Sequence, residues 1–227
     1  NEKPSRGSLP CSIHVDATGQ CVLVANYGSG TVTAYPIQSD GSLGNDTTFI
    51  QHEGSSVDAS RQEGPHAHMI ITDPGNNFAF VPDLGTDQVM VYRLDAGAGK
   101  LTANDPAFAR VRAGGGPRHL TFHPSVKYAY VINEMGSTIT AFDYDSERGA
   151  LTEIQMVNTL PADYDGSNGT ADIHITPSGK FLYGSNRGHD SLAIFSIDAA
   201  NGLLSPVGIE STRGENPRNF GIDPTGE

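Results

Sequence analysis

Apolar and polar residues alternate along this chain in short runs, the period-2 pattern of half-buried strands, and the runs recur in a fixed order. "HMIIT" precedes and "FAFVPD" follows the turn at "TDPGNN"; "RHLTF" and "YAYVIN" flank "FHPSVK" in the same way. Each such pair predicts a β-hairpin. A third run follows a Gly-containing turn, as in "TVTAY", "QVMVY", "TITAF" and "SLAIF", and a more polar run such as "LTEIQMVNT" completes a set of four strands. No window sustains apolar spacing at helical period, and 27 Gly with 14 Pro interrupt the chain too often for long helices. The fold class predicted is all-β.

The turns themselves repeat. Their cores read "VDATGQ", "TDPGNN", "FHPSVK", "ITPSGK" and "IDPTGE", and the landmark residues Ala17, Pro74, Pro124, Pro177 and Pro224 lie 57, 50, 53 and 47 residues apart. Four strands in a period of that length describe a β-propeller blade. The chain holds four periods and one opening strand, "RNFGIDPTGE". Most propellers need more blades than that to close, so residues 1–227 are expected to form part of a single propeller domain truncated at both ends.

A repeat register says which side chains meet at one rim. Six residues before each landmark stand Cys11, His68, Arg118, Ala171 and Arg218; ten after stand Tyr27, Leu84, Glu134 and Arg187. The start of the first strand and the end of the second lie at the same end of a hairpin, so both series are predicted to share a rim. Strict alternation would send His119 and His174 to the opposite face from Arg118. His14 and His174 share a repeat position and are read as structural. Asn26, Asp83, Asn133 and Asn186, one residue before the second series, are expected to hold turns.

The formal net charge of −12 argues against nucleic acid and anionic membrane surfaces as partners, because both need clustered Lys and Arg. Against that background, Arg118, Arg187 and Arg218 on one rim are a local cationic cluster. Guanidinium groups bind planar or tetrahedral oxyanions through paired hydrogen bonds, so the expected ligand is a small anion carrying phosphate or carboxylate. Glu134 supplies a carboxylate that can act as a base toward water, with His68 as its helper and His66 as a further binding candidate. The same Arg118–Glu134 pair also reads as a simple ion pair holding a blade together. Neither a nucleotide-binding glycine motif nor a Gly-x-Ser-x-Gly elbow is present, and the histidines do not have familiar metal-ligand spacing, so no cofactor and no metal are expected. Cys11 and Cys21 flank one turn and are read as two buried thiols rather than a disulfide. Asp163 and Asp165 lie in a long acidic connection read as a solvated loop.

The strings "GPHAHMIITDP", "AGGGPRHLTFHP", "YVINEMGSTITAF", "ADIHITPSGKFLYGSNRGHDSLAIF" and "NPRNFGIDPTGE" resemble the lactonase family of seven-bladed β-propellers over essentially the whole chain. The family includes the propeller-type 6-phosphogluconolactonase of bacteria and a fungal carboxy-muconate lactonizing enzyme. The resemblance implies a seven-bladed full-length protein and hydrolysis of a small anionic sugar lactone, 6-phosphogluconolactone foremost, in the pentose phosphate branch of glucose metabolism. That reading would place it in the cytoplasm. The alternatives are a carboxy-muconate-type lactonizing cycloisomerase and a non-catalytic propeller binding scaffold. The site proposed in the lactonizing enzyme uses a His, two Arg and a Glu, which by motif fall on His68 of "PHAH", Arg118 of "GPRH", Glu134 of "INEM" and Arg187 of "SNRG". Arg218 of "NPRN" comes from the repeat register alone.

Overall fold

A computed structural model describes residues 1–223, 225 and 226. Its regular structure among those residues is entirely β, as the alternation predicts. The chain divides into two compact units, Asn1–Gly114 with Ser146–Ala150, and Gly115–Asp145 with Leu151–Glu227.

The first unit holds two four-stranded antiparallel meanders. One is β1 (Pro10–Val15), β2 (Cys21–Asn26), β3 (Thr31–Pro36) and β4 (Thr48–Gln51); the other is β5 (Ile71–Thr72), β6 (Phe78–Asp83), β7 (Gln88–Asp95) and β8 (Lys100–Arg110). The second unit repeats the plan with β9 (Pro117–Phe122), β10 (Tyr128–Asn133), β11 (Thr138–Asp145) and β12 (Ala150–Asn158), then β13 (Gly169–Ile175), β14 (Phe181–Arg187), β15 (Ser191–Ile197) and β16 (Leu204–Ser211). Strand order follows chain order in all four sheets, the topology of a blade.

Each unit has its own core, built mainly from the second and third strands because these have neighbours on both edges. Leu23, Ala25, Val32, Ala34, Ala79 and Val81 anchor the first, with Tyr92 and Leu101. Tyr130, Ile132, Ile139, Ala141, Leu182 and Phe195 anchor the second. β1 presents Ile13 and Val15 to solvent.

The turn between the first and second strands of each sheet is built from two repeated positions. The residue before the landmark accepts hydrogen bonds from the turn's own backbone. Asp16 Oδ1 takes Gln20 N and Cys21 N, both at 2.7 Å, and Asp73 Oδ1 takes Asn77 N and Phe78 N, both at 2.8 Å. His123 Nδ1 accepts from Ser125 N at 3.0 Å and Thr176 Oγ1 from Phe181 N at 3.2 Å, so different side chains perform a related task. Two residues after the landmark the backbone is left-handed: Gly19 at φ 68°, Asn76 at 56°, Val126 at 59° and Gly179 at 72°. Glycine and asparagine suit that region; a β-branched valine does not.

The hairpins that lead to the predicted rim carry a one-residue bulge. Pro10 pairs with Asn26 but Ser12 with Ala25, leaving Cys11 extra. Pro117 pairs with Asn133 but His119 with Ile132, leaving Arg118 extra. In β13 the shift falls between Thr170 and Ile173, so that Ala171 and Asp172 together oppose one residue. The second sheet shows the same shift between Ala67↔Asp83 and Ile71↔Phe80. A bulge bends the strand and re-aims its side chains, which ends strict alternation at the six-before position.

Three expectations change. "HMIIT" forms a strand only at Ile71–Thr72, because the bulge interrupts its ladder. The predicted opening strand "RNFGIDPTGE" forms no ladder among its described residues; Pro224, its landmark, lies outside them. Cys21 is buried but Cys11, carried outward on the bulge, is exposed, and the two are thiols, not a disulfide.

The left-handed Val126 gives a test of the turn rule. Val126→Asn should raise stability by about 1 kcal/mol through relief of steric strain in that region. Urea unfolding of the two forms checks it, and an unchanged or lowered midpoint would refute the strain.

Candidate functional site

The second unit brings together three of the predicted residues. Glu134 follows directly on β10, its backbone N–H donating to Gly116 O at 2.7 Å, and its side chain turns back over the start of β9. Arg118, the bulged residue of β9, donates from Nε to Glu134 Oε2 at 3.0 Å. Arg187, the last residue of β14, reaches the same oxygen from Nη2 at 2.9 Å. Two guanidinium groups from neighbouring sheets thus share one carboxylate oxygen.

Both arginines are held by backbone carbonyls as well. Arg118 Nη1 donates to Ala171 O at 2.6 Å, and Arg187 donates to Gly169 O from Nε at 3.1 Å and to Thr170 O from Nη2 at 2.9 Å. Arg118 is 2% exposed, which for a permanent cation demands such partners. Burial pushes its pKa down to about 10, against the pull of Glu134, and Arg187 and Arg218 push in the same direction as burial. At neutral pH the guanidinium remains charged. Arg187, with a side chain 17% exposed, is the more open of the two.

Beside this cluster lies a second one that alternation along β9 missed. His119 belongs on the far face under a strict period of two, yet Arg118 Nη1 is 3.1 Å from its Nε2, because the bulge at Arg118 turns both side chains the same way. His119 Nδ1 is 2.8 Å from Asp172 Oδ1. Asp172 is buried and also binds His174 Nε2 at 3.0 Å, Asn219 Nδ2 at 2.6 Å and Phe220 N at 3.2 Å through Oδ2. Burial alone would raise its pKa; the hydrogen bonds from His119 and His174 overcome that and hold the carboxyl well below the usual range. Burial lowers the pKa of His119, with the Asp172 hydrogen bond opposing it and the Arg118 charge adding to it. The imidazole is therefore neutral at pH 7, beside an ionised aspartate. The signal available in the sequence was the column five before each landmark, where His119, Asp172 and Asn219 stand in successive repeats.

Arg218 lies on the segment after β16 and is exposed. It contributes electrostatically at Arg118. Its neighbours Asn219 and Phe220 carry the hydrogen bonds to Asp172.

His66 and His68 belong to the first unit. His66 stacks on Tyr27 with ring centres 4.5 Å apart, its backbone N–H donates to Asp83 Oδ1 at 2.8 Å, and its ring Nδ1 lies 3.0 Å from Tyr27 O. His68 is buried, meets Tyr27 edge-on at 5.3 Å, and its backbone carbonyl accepts from the Cys11 thiol at 3.2 Å. Tyr27 of the ten-after series and His68 of the six-before series thus meet within the first unit, with His66 beside them. Asn26, Asn133 and Asn186 bind across their turns to Thr31, Thr138 and Ser191, and Asp83 caps Gly85 N, the structural duty expected of them. His14 pairs with Thr72 at 3.0 Å. Asp163 and Asp165 are exposed. Among the described residues no cluster of three or more metal-binding side chains occurs.

Compared with known proteins, the whole chain, residues 1–227, matches the family described as lactonase, 7-bladed beta-propeller. It is 42% identical over 221 residues to the 6-phosphogluconolactonase of Bacillus subtilis (strain 168), covering 96% of this chain and 61% of that protein. A solved structure of a protein from Lactobacillus plantarum superposes with a TM-score of 0.90 at 40% identity, over 96% of this chain and 62% of that one. The periplasmic gluconolactonase of Pseudomonas aeruginosa superposes at 0.89 with 34% identity, over 96% and 61% respectively. The chain thus spans 61 to 62% of the length of these three relatives. Blade topology repeated four times and a match along every residue agree: this chain belongs to the lactonase family of seven-bladed β-propellers.

Proposed function

We propose that the full-length protein hydrolyses a small anionic sugar lactone, with 6-phosphogluconolactone as the substrate. The observation that carries this reading is the convergence of Arg118 and Arg187 on Glu134, in a chain 42% identical to a protein named 6-phosphogluconolactonase. Lactone hydrolysis needs cationic donors where the tetrahedral oxyanion develops and a group that orients and deprotonates water.

In this reading Arg118 Nη2 and Arg187 Nη1, which have no protein partner among the described residues, donate to the substrate's anionic oxygens. Arg218 adds charge to the same site. Glu134 has two tasks: it keeps the two guanidiniums apart and in register, and its carboxylate directs the attacking water. His68, as helper in proton transfer, and His66, as a binding residue, take their roles from the family pattern. A phosphorylated substrate implies the cytoplasm. The gluconolactonase from Pseudomonas aeruginosa favours a second reading, an unphosphorylated gluconolactone. A muconate cycloisomerase would need the same donors for carboxylates and is separated by substrate comparison alone.

The decisive measurement is loss of the δ-lactone of 6-phosphogluconate, above its spontaneous hydrolysis, with gluconolactone and a carboxy-muconate run in parallel. Acceleration for the phosphorylated lactone is expected, and folded protein that leaves its rate unchanged rejects this function. Arg187→Ala should lower kcat by roughly 100-fold, the cost of one lost oxyanion donor. Steady-state kinetics on folded variant reads this, and an unchanged kcat removes Arg187 from the mechanism.

Glu134→Gln separates structure from chemistry. It leaves Arg118 and Arg187 facing each other without a counter-charge and should cost about 3–5 kcal/mol of stability in urea unfolding. At equal folded fraction it should also lose turnover while retaining product binding. Full turnover in the folded variant would leave Glu134 as an ion-pair residue only.

A further inference from the structure

We propose that Asp172 is a positioning residue for this site: one of its oxygens orients Arg118 through His119, and the other holds the Arg218 segment through Asn219 and Phe220. The inference rests on the lactone-site reading for its kinetic consequence and on geometry for the rest. Asp172 touches neither Arg118 nor Glu134 in a hydrogen bond; it acts through its neighbours.

An ionised carboxylate only accepts, so the 2.8 Å contact from His119 to Asp172 Oδ1 places a proton on His119 Nδ1. A neutral imidazole has one N–H, so Nε2 carries a lone pair, and at 3.1 Å it accepts from Arg118 Nη1. The second hydrogen of Nη1 goes to Ala171 O and the Nε hydrogen to Glu134. Three acceptors on three sides leave the planar guanidinium a single orientation, with Nη2 remaining for a ligand. Without Asp172 the tautomer is no longer dictated. A proton on Nε2 would oppose an N–H of Arg118, and the guanidinium would have to turn away.

The other oxygen performs the second task. The contacts from Asn219 Nδ2 at 2.6 Å and Phe220 N at 3.2 Å to Oδ2 tie down the backbone directly after Arg218, a segment with no strand of its own. The His174 ring shares this oxygen and packs edge-on against Phe220 at 4.8 Å. One buried carboxylate thereby serves two of the arginines assigned to the anion, and this explains why a charge is buried here at all.

The charged neighbours of His119 are Arg118 on β9 and Asp172 and His174 on β13; Glu134 beyond β10 and Arg187 on β14 lie further along the chain of contacts through Arg118. The His119 pKa is lowered from 6.5, so the accepting tautomer dominates at neutral pH and is lost as pH falls through the lowered value. Activity should therefore carry an acid limb that belongs to His119. Glutamine at this position offers a carbonyl oxygen to Arg118 and an amide N–H to Asp172 without titrating.

The test uses full-length protein. Long-range proton–nitrogen NMR of histidine-labelled protein at pH 7.5, assigned with His119→Gln, should show the proton on Nδ1 of residue 119 in wild type and a mixture of Nδ1 and Nε2 tautomers in Asp172→Leu, which removes the acceptor. Titration with inorganic phosphate and kinetics on the phosphorylated lactone follow in parallel. His119→Leu should weaken phosphate binding and kcat/KM by roughly ten- to a hundredfold, the loss expected for one charged hydrogen bond. His119→Gln should restore both, and the ratio of wild-type to His119→Gln activity should fall from pH 7 to pH 5. A proton on Nε2 in wild type, or equal losses in the leucine and glutamine variants, would overturn the proposal. If no lactone is hydrolysed while the tautomer and phosphate results hold, Asp172 keeps its role and the lactonase reading falls instead.

Discussion

A single carboxylate oxygen shared by two guanidinium groups is the interaction that organises the rim of the second unit. Glu134 Oε2 lies 3.0 Å from Arg118 Nε and 2.9 Å from Arg187 Nη2, and the two cations come from different sheets. Without the carboxylate, two charges would face each other where water has little access. With it, the cluster is held in place and still offers donors on the sides that Glu134 does not occupy. In the proposed reading the stabilising ion pair and the anion site are the same object, because what orients an arginine for its protein partner also orients it for a ligand.

The bulge is the device that makes this arrangement possible on a sheet. A regular strand would show Arg118 and His119 to opposite faces. The extra residue at Arg118 turns both toward β13, where Ala171 O and Asp172 receive them. The same irregularity in β1 and β13, and in the approach to β5, marks it as a property of the repeat. Rims of β-structures concentrate bulges because there the ladder is ending and side chains have room to be redirected.

Beneath the rim the two units are ordinary in their energetics. Aliphatic and tyrosine side chains of the second and third strands fill each core, and the turn at the opposite end is held by a side-chain acceptor and a left-handed residue. That end varies freely among Asp, His and Thr in its acceptor, as expected where only a hydrogen bond is required. In the six-before column the members differ in kind, from a thiol to a histidine to an arginine.

Local pattern alone decided the all-β class, the four-strand period, the turn columns and the convergence of Arg118, Glu134 and Arg187, since each follows from alternation and from counting residues between landmarks. Counting works where every step along a strand flips the side chain. It failed at His119, because a bulge adds one residue without any local sequence mark and reverses the alternation beyond it; the reading of Cys11 as buried rested on the usual habit of cysteines, and Cys11 is exposed. It also drew a strand through Arg218, where a ladder requires a partner that no amount of β-propensity supplies. Which residues share the rim was legible in the sequence; which face each side chain takes beside a bulge, and which of them touch, was settled only when the sheets were packed, because hydrogen bonds between neighbouring sheets depend on where the backbone bends.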